Sequence, residues 1–239
     1  MAEMKWIEDL KENLNRLAGE ETQKEVMAGS EGLSKDSSAE ELASWFRGAV
    51  ERLDELVDED TRKRVLMDSC PDVFPEERIR ALKARYGETG DLDGLIREMH
   101  EDGSWYGLSW YEYPERRGES IFVRKIPFNP KGYNAAKEPE ERRLNYCHCR
   151  VVKSLMRSGE RISPTFCFCG ANWYRQLWDG ILGEPVEIEV LKTIVRGDDT
   201  CEFLIHLPIG ASGVSPAPAA RPAQPKRGRW NRAPRKGVG

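Results

Sequence analysis

Four cysteines stand in two closely spaced pairs in the second half of the sequence. Cys147 and Cys149 lie in LNYCHCRVV, and Cys167 and Cys169 lie in PTFCFCGANW. If each pair is on an extended strand, both thiols of a pair point to the same side, because alternate residues of a strand share a face. Four thiols from two adjacent segments could bind zinc in a tetrahedral cysteine site. The spacing therefore predicts a metal site made of these four cysteines.

Two other interpretations of the same cysteines remain open. The thiols could be buried or face one another without a metal, because free cysteine packs as a small apolar residue. Cys167 or Cys169 could instead be a catalytic nucleophile, since Cys169 precedes a predicted helix whose N-terminal dipole favours a thiolate. Cys70 and Cys201 are predicted to be core residues, although Cys201 could line the same cavity. His148 is predicted to point away from the thiols.

Aromatic and basic residues near the cysteines predict a pocket for a flat organic ligand. Trp173 and Tyr174 lie in ANWYRQLW, and Arg124, Lys125 and Arg175 could neutralise a carboxylate on such a ligand. The sequence contains no Gly-rich phosphate loop, H-E-x-x-H helix or nucleophile elbow, which removes the common nucleotide-binding, zinc-protease and α/β-hydrolase patterns. We therefore predict a small-molecule-binding protein with a cysteine-rich site.

The elements that must position these residues begin with helices. Apolar residues recur at spacings of three and four in KWIEDLKENLNRL and in SAEELASWFRGAVERLDELV, which is typical of amphipathic helices. Ser38 and Glu41 predict a capping box at the start of the second helix. The helical pattern continues in TRKRVLMDSC, breaks at Pro71 and Pro75, and resumes in EERIRALKARYGETG and DLDGLIREMHEDG, each ended by a glycine.

A pattern of period two then predicts an antiparallel sheet with one or two covering helices. We expect a hairpin in GLSWYEYPERRGESIFVRKIPF, a polar loop in NPKGYNAAKEPEERR, a short helix ending at Gly183, and two strands in EPVEIEVLKTIVRG and TCEFLIHLP. The predicted fold class is α+β, with a helical N-terminal part followed by an antiparallel-sheet ligand-binding module. The predicted regions are a helical region 1–69, an α+β domain 70–209 and a disordered basic tail 210–239.

Charge is distributed unevenly along the chain. From Phe203 onward there are seven Lys and Arg and no Asp or Glu, so the formal net charge of −4 leaves about −11 on the remainder. The cations between residues 221 and 236 could bind nucleic acid weakly. The sequence has no apolar run of about 18 residues and no secretory signal, so we expect no membrane association and a cytoplasmic location. In that compartment structural disulfides are rare.

The stretch ISPTFCFCGANWYRQLWDGILGEPVEIEVLKTIVRGDDTCEFLIHL resembles a known family. The elements that carry the similarity are the helix end ILG, the strand PVEIEVLKT and the motif GDDTCEF, and the resemblance extends over about residues 70–207. It identifies the chain as similar to the L-2-amino-thiazoline-4-carboxylic acid hydrolase-like family, which is related to 4-vinyl reductase domain proteins.

The resemblance implies a compact α+β ligand-binding module. It also implies an alternative function, hydrolysis of a small thiazoline or amide-like substrate through a cysteine or a metal-bound thiolate. Related domains that hold zinc use a glutamate and a cysteine before a final G-x-x-x-C motif. Glu189 and Cys201 match that pattern, and Thr193 stands at the position of the other cysteine.

Overall fold

The first part of the chain is helical, as its apolar periodicity predicts. The computed structural model describes residues 2–71, 73–102 and 113–208. The first four helices are α1 (Ala2–Ala18), α2 (Glu20–Val26), α3 (Ala39–Leu56) and α4 (Glu59–Asp68). α3 begins with the predicted capping box, in which the Ser38 hydroxyl accepts the Glu41 N–H at 3.1 Å and the Glu41 carboxylate accepts the Ser38 N–H. α2 lies between the two predicted amphipathic helices, in a segment without a clear apolar stripe.

Two further helices follow the break at the prolines. They are α5 (Glu76–Thr89) and α6 (Leu92–Glu101). α5 ends at Gly90, whose φ of 63° is in the left-handed region that glycine adopts without a steric penalty. The glycine predicted to end α6, at position 103, lies outside the described residues.

The four strands in the described residues form one antiparallel sheet, which confirms the α+β class. They are β1 (Glu115–Arg117), β2 (Ser120–Arg124), β3 (Glu187–Lys192) and β4 (Glu202–His206), in the order β1-β2-β4-β3. Ile205 of β4 is paired with Ile121 of β2 and Ile188 of β3, so buried apolar residues continue across the sheet. The predicted hairpin is present as β1 and β2, and its first part lies outside the described residues.

The segment predicted to be a polar loop forms two helices, so that prediction is wrong. They are α7 (Pro130–Ala135) and α8 (Pro139–Tyr146), and each begins with a proline, whose fixed φ suits the first helical position. The Asn129 side chain caps α7 by accepting the Gly132 N–H at 3.0 Å. Local start signals of this kind outweigh the polar composition of the segment.

Two apolar cores hold these elements together. α9 (Arg150–Ser158) packs against α3, and α10 (Phe168–Leu182) packs against α4, α5 and the sheet. α10 ends at Gly183, as predicted. The first core joins the N-terminal helices to α9, and the second joins α6, α10 and the sheet.

None of the described helices is long and apolar enough to cross a membrane. The predicted tail 210–239, with its cations at 221–236, lies outside the described residues.

Candidate functional site

A cavity of about 210 Å³ brings together all six cysteines of the chain. Four separate segments supply them: the turn after α4, the linker between α8 and α9, the start of α10, and the residue before β4. Aromatic rings close much of the remaining wall, among them Trp6 of α1, Phe166, Trp173 of α10 and Phe203 of β4. Residues of both apolar cores therefore contribute to one cavity.

Cys147 and Cys149 lie in the short linker between α8 and α9. Cys147 follows the last turn of α8 and Cys149 precedes the first turn of α9, and both have extended backbone angles. The extended conformation predicted for this pair is therefore present, but it belongs to a helix-to-helix linker and not to a strand. Cys149 stands at the N-terminus of α9, where the helix dipole favours a negative charge.

The second pair is helical, so the strand predicted for it is wrong. Pro164 begins a short 3₁₀ helix, Pro164–Cys167, that leads directly into α10. Cys169 lies in the first turn of α10 and forms a disulfide with Cys70. A bond between residues 99 positions apart depends on the packing of α4 against α10 and has no local sequence signal. The four free cysteines are Cys147, Cys149, Cys167 and Cys201.

Burial raises the pKa of all four free thiols. The pKa of Cys167 is raised to about 12, and that of Cys147 is raised well above its usual range. Without a metal, these groups are therefore neutral thiols at pH 7. A nucleophilic cysteine must be a thiolate. In the metal-free protein Cys167 is a neutral thiol and Cys169 is bonded to Cys70, so catalysis by either residue is disfavoured. Hydrolase activity stays a prediction.

Each free thiol nevertheless has a hydrogen-bond donor that favours its thiolate form. Three thiols receive backbone donors and one receives a side-chain hydroxyl. The groups that lower the pKa are the backbone of Cys149 for Cys147, of Val151 and Val152 for Cys149, and of Ile194 for Cys201, and the side chain of Thr193 for Cys167. The Cys147 thiol itself donates to the Cys149 carbonyl at 3.9 Å. Their effect is smaller than that of burial, so the pKa of each thiol stays raised.

Lys125 is a buried cation on the wall of this cavity. It follows Ile121 and Val123 at alternate positions, so it continues the inward face of β2 beyond the end of the strand. Its side chain is 6% exposed, and Nζ lies 3.5 Å from the ring centroid of Trp173. Among the described residues no carboxylate forms an ion pair with it. Burial lowers the pKa of Lys125, and negative charge on the four free thiols would raise it.

Tyr146 connects this lysine to a cysteine. Its hydroxyl donates to the main-chain carbonyl of Lys125 and accepts the N–H of Cys201 at 3.1 Å. The N–H of Lys125 in turn donates to the carbonyl of Cys201 at 3.0 Å. These three hydrogen bonds fix the ends of β2 and β4 relative to α8, and so they fix the main-chain positions from which the Lys125 and Cys201 side chains extend.

His148 also lines the cavity, contrary to its predicted outward orientation. Its Nε2 lies 2.7 Å from the carbonyl of Ile126 and must donate, because a carbonyl oxygen can only accept. Burial lowers the pKa of His148 to about 4, so the ring is neutral at pH 7. The alternation rule failed here because the linker bends between two helices and no sheet fixes its faces.

Of the four predicted ligand-binding residues, Trp173 is the one that lines the cavity. Tyr174 is buried in the second core, with its ring centroid 4.9 Å from that of Phe203. Arg124 pairs with Glu202 at 3.1 Å. Arg175 pairs with Asp68 at 2.7 Å. Both arginines therefore serve ion pairs outside the cavity wall.

Asp68 is expected to stabilise the fold next to the cavity. It accepts from Arg175 of α10 and from Arg16 of α1 at 2.6 Å. Burial raises its pKa, and the two arginines outweigh burial, so the pKa is lowered overall. Asp68→Asn should lower the free energy of unfolding by about 1 kcal/mol, because solvent screens a partly exposed carboxylate. Chemical denaturation measures this loss.

The stabilisation by Asp68 depends on pH. A carboxyl group whose pKa is lowered by folding stabilises the native state above its unfolded pKa of about 3.9, and that contribution disappears as the pH falls through the folded value. The difference between wild type and Asp68→Asn should therefore shrink under acid conditions. An unchanged difference at low pH would contradict the assignment.

A second, more polar groove adjoins the cysteine cavity. It has a volume of about 530 Å³ and shares the side chains of Val152, Ile194 and Val195 with the cavity wall. Charged residues of both signs line the rest of it, including Arg143 and Glu160. No motif in the sequence marks this groove, because its residues come from α8, α9, the loop after α9 and the turn after β3.

The positions named by the family resemblance are divided between two places. Thr193 and Cys201 lie on the cavity wall, whereas Glu189 pairs with His206 at 3.2 Å on the sheet. In the described part of the chain, no three His, Cys, Asp or Glu side chains are arranged to hold a single metal ion.

Comparisons of the chain with models of protein families, with curated proteins and with solved structures found no match. The function must therefore be argued from the cavity itself.

Proposed function

We propose that this protein binds a small molecule beside a metal–thiolate centre held in the cysteine cavity. The observation that carries the proposal is that the four free cysteines, which are spread over residues 147–201, all line one cavity. Apolar packing alone does not require sulfur at each of these positions, since valine or alanine fills similar space. Metal binding does require it.

The donor set selects the class of metal. The cavity lining contains no Asp or Glu among the described residues, and its metal-binding groups are thiols with one histidine. Soft thiolate ligands favour zinc, copper(I) or iron–sulfur clusters over magnesium or calcium. Binding would release the thiol protons, because the thiolate is the ligand. Four free thiols are compatible with the cytoplasmic location predicted from the sequence, whereas the Cys70–Cys169 disulfide is unusual for that compartment.

The surroundings suit a negatively charged centre. Several thiolates on one metal group give a net negative charge, which is costly to bury without compensation. Lys125 supplies a buried positive charge, and α9 and α10 both begin at the cavity with their N-terminal dipoles. In the absence of a carboxylate partner in the described residues, an anionic centre explains why a lysine is buried here.

The adjoining groove is the proposed place for the small molecule. Its volume of about 530 Å³ lies within the range of about 300–1,000 Å³ that is usual for ligand sites. Its wall combines cations, carboxylates and apolar side chains, so it suits a polar organic ligand that carries charge. Val152, Ile194 and Val195 separate such a ligand from the centre by one layer of side chains.

Metal content after purification without chelator tests the proposal. We expect about one metal centre per chain in the wild type and at least a 10-fold lower content in the double variant Cys167→Ser/Cys201→Ser, because two ligands are lost. Elemental analysis of both proteins, after removal of loosely bound metal on a desalting column, measures the difference.

Val195→Ala is the matched control, since it alters the same wall without removing a sulfur. Its metal content should equal that of the wild type. A wild type that retains no metal after incubation with zinc or ferrous iron would disprove the proposal, as would equal metal content in the cysteine double variant.

A further inference from the structure

The cavity is much larger than a site for one ion. A single zinc ion holds its sulfur ligands at about 2.3 Å, so four thiolates around it are in contact with one another. Here the thiols line a pocket of about 210 Å³ together with aromatic and aliphatic side chains, whereas a cavity of about 10–15 Å³ is enough for one water molecule. The pocket therefore has room for a group that contains several atoms.

We propose, as a deeper form of the proposed function and resting on it, that the cavity holds an iron–sulfur cluster ligated by Cys147, Cys149, Cys167 and Cys201. In such a cluster the iron atoms and bridging sulfides occupy the space between protein sulfurs. Four cysteine ligands are the usual set for both two-iron and four-iron clusters. As each sulfur binds iron, its proton passes to solvent, and iron and sulfide come from outside the protein.

The division of the six cysteines fits this ligand set. Cys70 and Cys169 are bonded to each other, which leaves four free thiols. These four come from three separate segments that line the cavity: the α8–α9 linker, the start of α10 and the residue before β4. A polynuclear group can bridge such segments.

Hydrogen bonds and charge around the sulfurs also fit a cluster. Each of the four sulfurs has a backbone or hydroxyl donor, as described above, and hydrogen bonds to sulfur tune the potential of iron–sulfur clusters. A cluster with four thiolate ligands carries net negative charge, which Lys125 and the N-terminus of α10 would offset. The buried rings of Trp6 and Phe166 line the same space.

Anaerobic reconstitution with ferrous iron and sulfide tests the inference. The full chain is incubated with ferrous ammonium sulfate and sodium sulfide, desalted, and analysed for iron, acid-labile sulfide and visible absorption, with a parallel sample loaded with zinc chloride. We expect iron and sulfide in nearly equal molar amounts and a broad visible absorption band. Electron paramagnetic resonance after dithionite reduction should show a signal from the reduced cluster.

The variants separate the ligands from the disulfide. Cys167→Ser/Cys201→Ser should lose at least 90% of the bound iron and sulfide, whereas Cys70→Ser/Cys169→Ser should keep them. Loss in the second variant with retention in the first would overturn the ligand assignment.

The wild-type protein gives an answer even if a variant fails to fold. Stoichiometric zinc without iron and sulfide would overturn the cluster and leave the proposed metal–thiolate function standing. Neither zinc nor iron bound would overturn both.

Discussion

Lys125→Met is expected to weaken metal binding about 10- to 100-fold while leaving the metal-free protein as stable as the wild type, or more stable. The two effects have opposite signs because the ammonium group has opposite roles in the two states. Beside an anionic metal–thiolate centre it is a counter-charge. Beside neutral thiols it is a buried cation whose burial is not offset by any carboxylate of the described residues.

The stability of the metal-free proteins has a predictable pH dependence. Burial lowers the pKa of Lys125, so the unfolded chain binds more protons than the folded one between the lowered value and the ordinary lysine pKa of about 10.4. Wild-type stability therefore rises relative to Lys125→Met as the pH increases through this window. Thiol ionisation affects both proteins and largely cancels in the comparison.

Competition with a chromogenic chelator measures the affinity, and urea unfolding of the metal-free proteins measures the stability. Methionine is the suitable replacement because it fills the space of the lysine stem without a charge. Lys131→Met, on the exposed surface of α7, controls for the change in net charge and should have little effect on either quantity. Equal metal affinity in wild type and Lys125→Met would show that Lys125 does not compensate the centre.

Local patterns in the sequence predicted the elements well where the signal was itself local. The apolar stripes of α1 and α3, the capping box at Ser38 and the glycine end of α10 are confirmed. The alternation in β3 and β4 predicted both strands. These features depend on residues within one or two turns of each other, so the sequence is sufficient to specify them.

The composition of the cavity depends on packing between distant elements, and the sequence predicted it in part. Cys147, Cys149, Cys167 and Cys169 were predicted at one metal site with Trp173 beside it, and all five residues lie on the cavity wall, where Cys169 is bonded to Cys70. The link between Cys70 and Cys169 requires α4 to pack on α10, which no local pattern reveals. Lys125 was expected to neutralise a carboxylate on a ligand, and its alternation with Ile121 and Val123, which indicates an inward side chain, was not used.

Trp6→Ala is expected to destabilise the protein strongly and to open the metal site to solvent. Trp6 is 8% exposed, and its ring centroid lies 4.4 Å from that of Phe46 and 5.2 Å from that of Phe166. Truncation of a buried aromatic side chain costs about 3–5 kcal/mol. For a chain of this size the melting temperature should fall by about 10 °C.

The effect on the site follows from the position of α1. Trp6 forms part of the cavity wall together with cysteines from the linker before α9 and from α10. The first helix, predicted to belong to a separate region 1–69, thus contributes a side chain to the site that the sequence placed in region 70–209. Removing the indole should leave a passage between the first core and the thiols, so a chelator should extract bound metal at least 10-fold faster.

Trp45→Ala is the matched control for this prediction. Trp45 packs on the edge of Phe46 at 5.0 Å and its indole N–H donates to the Ala28 carbonyl, but it does not line the cavity. Its loss should lower stability without a comparable increase in the rate of metal extraction, measured well below both melting temperatures. If both variants release metal equally fast, the increase reflects general destabilisation, and Trp6 does not shield the centre. If Trp6→Ala alone releases it faster, the N-terminal helices are part of the site.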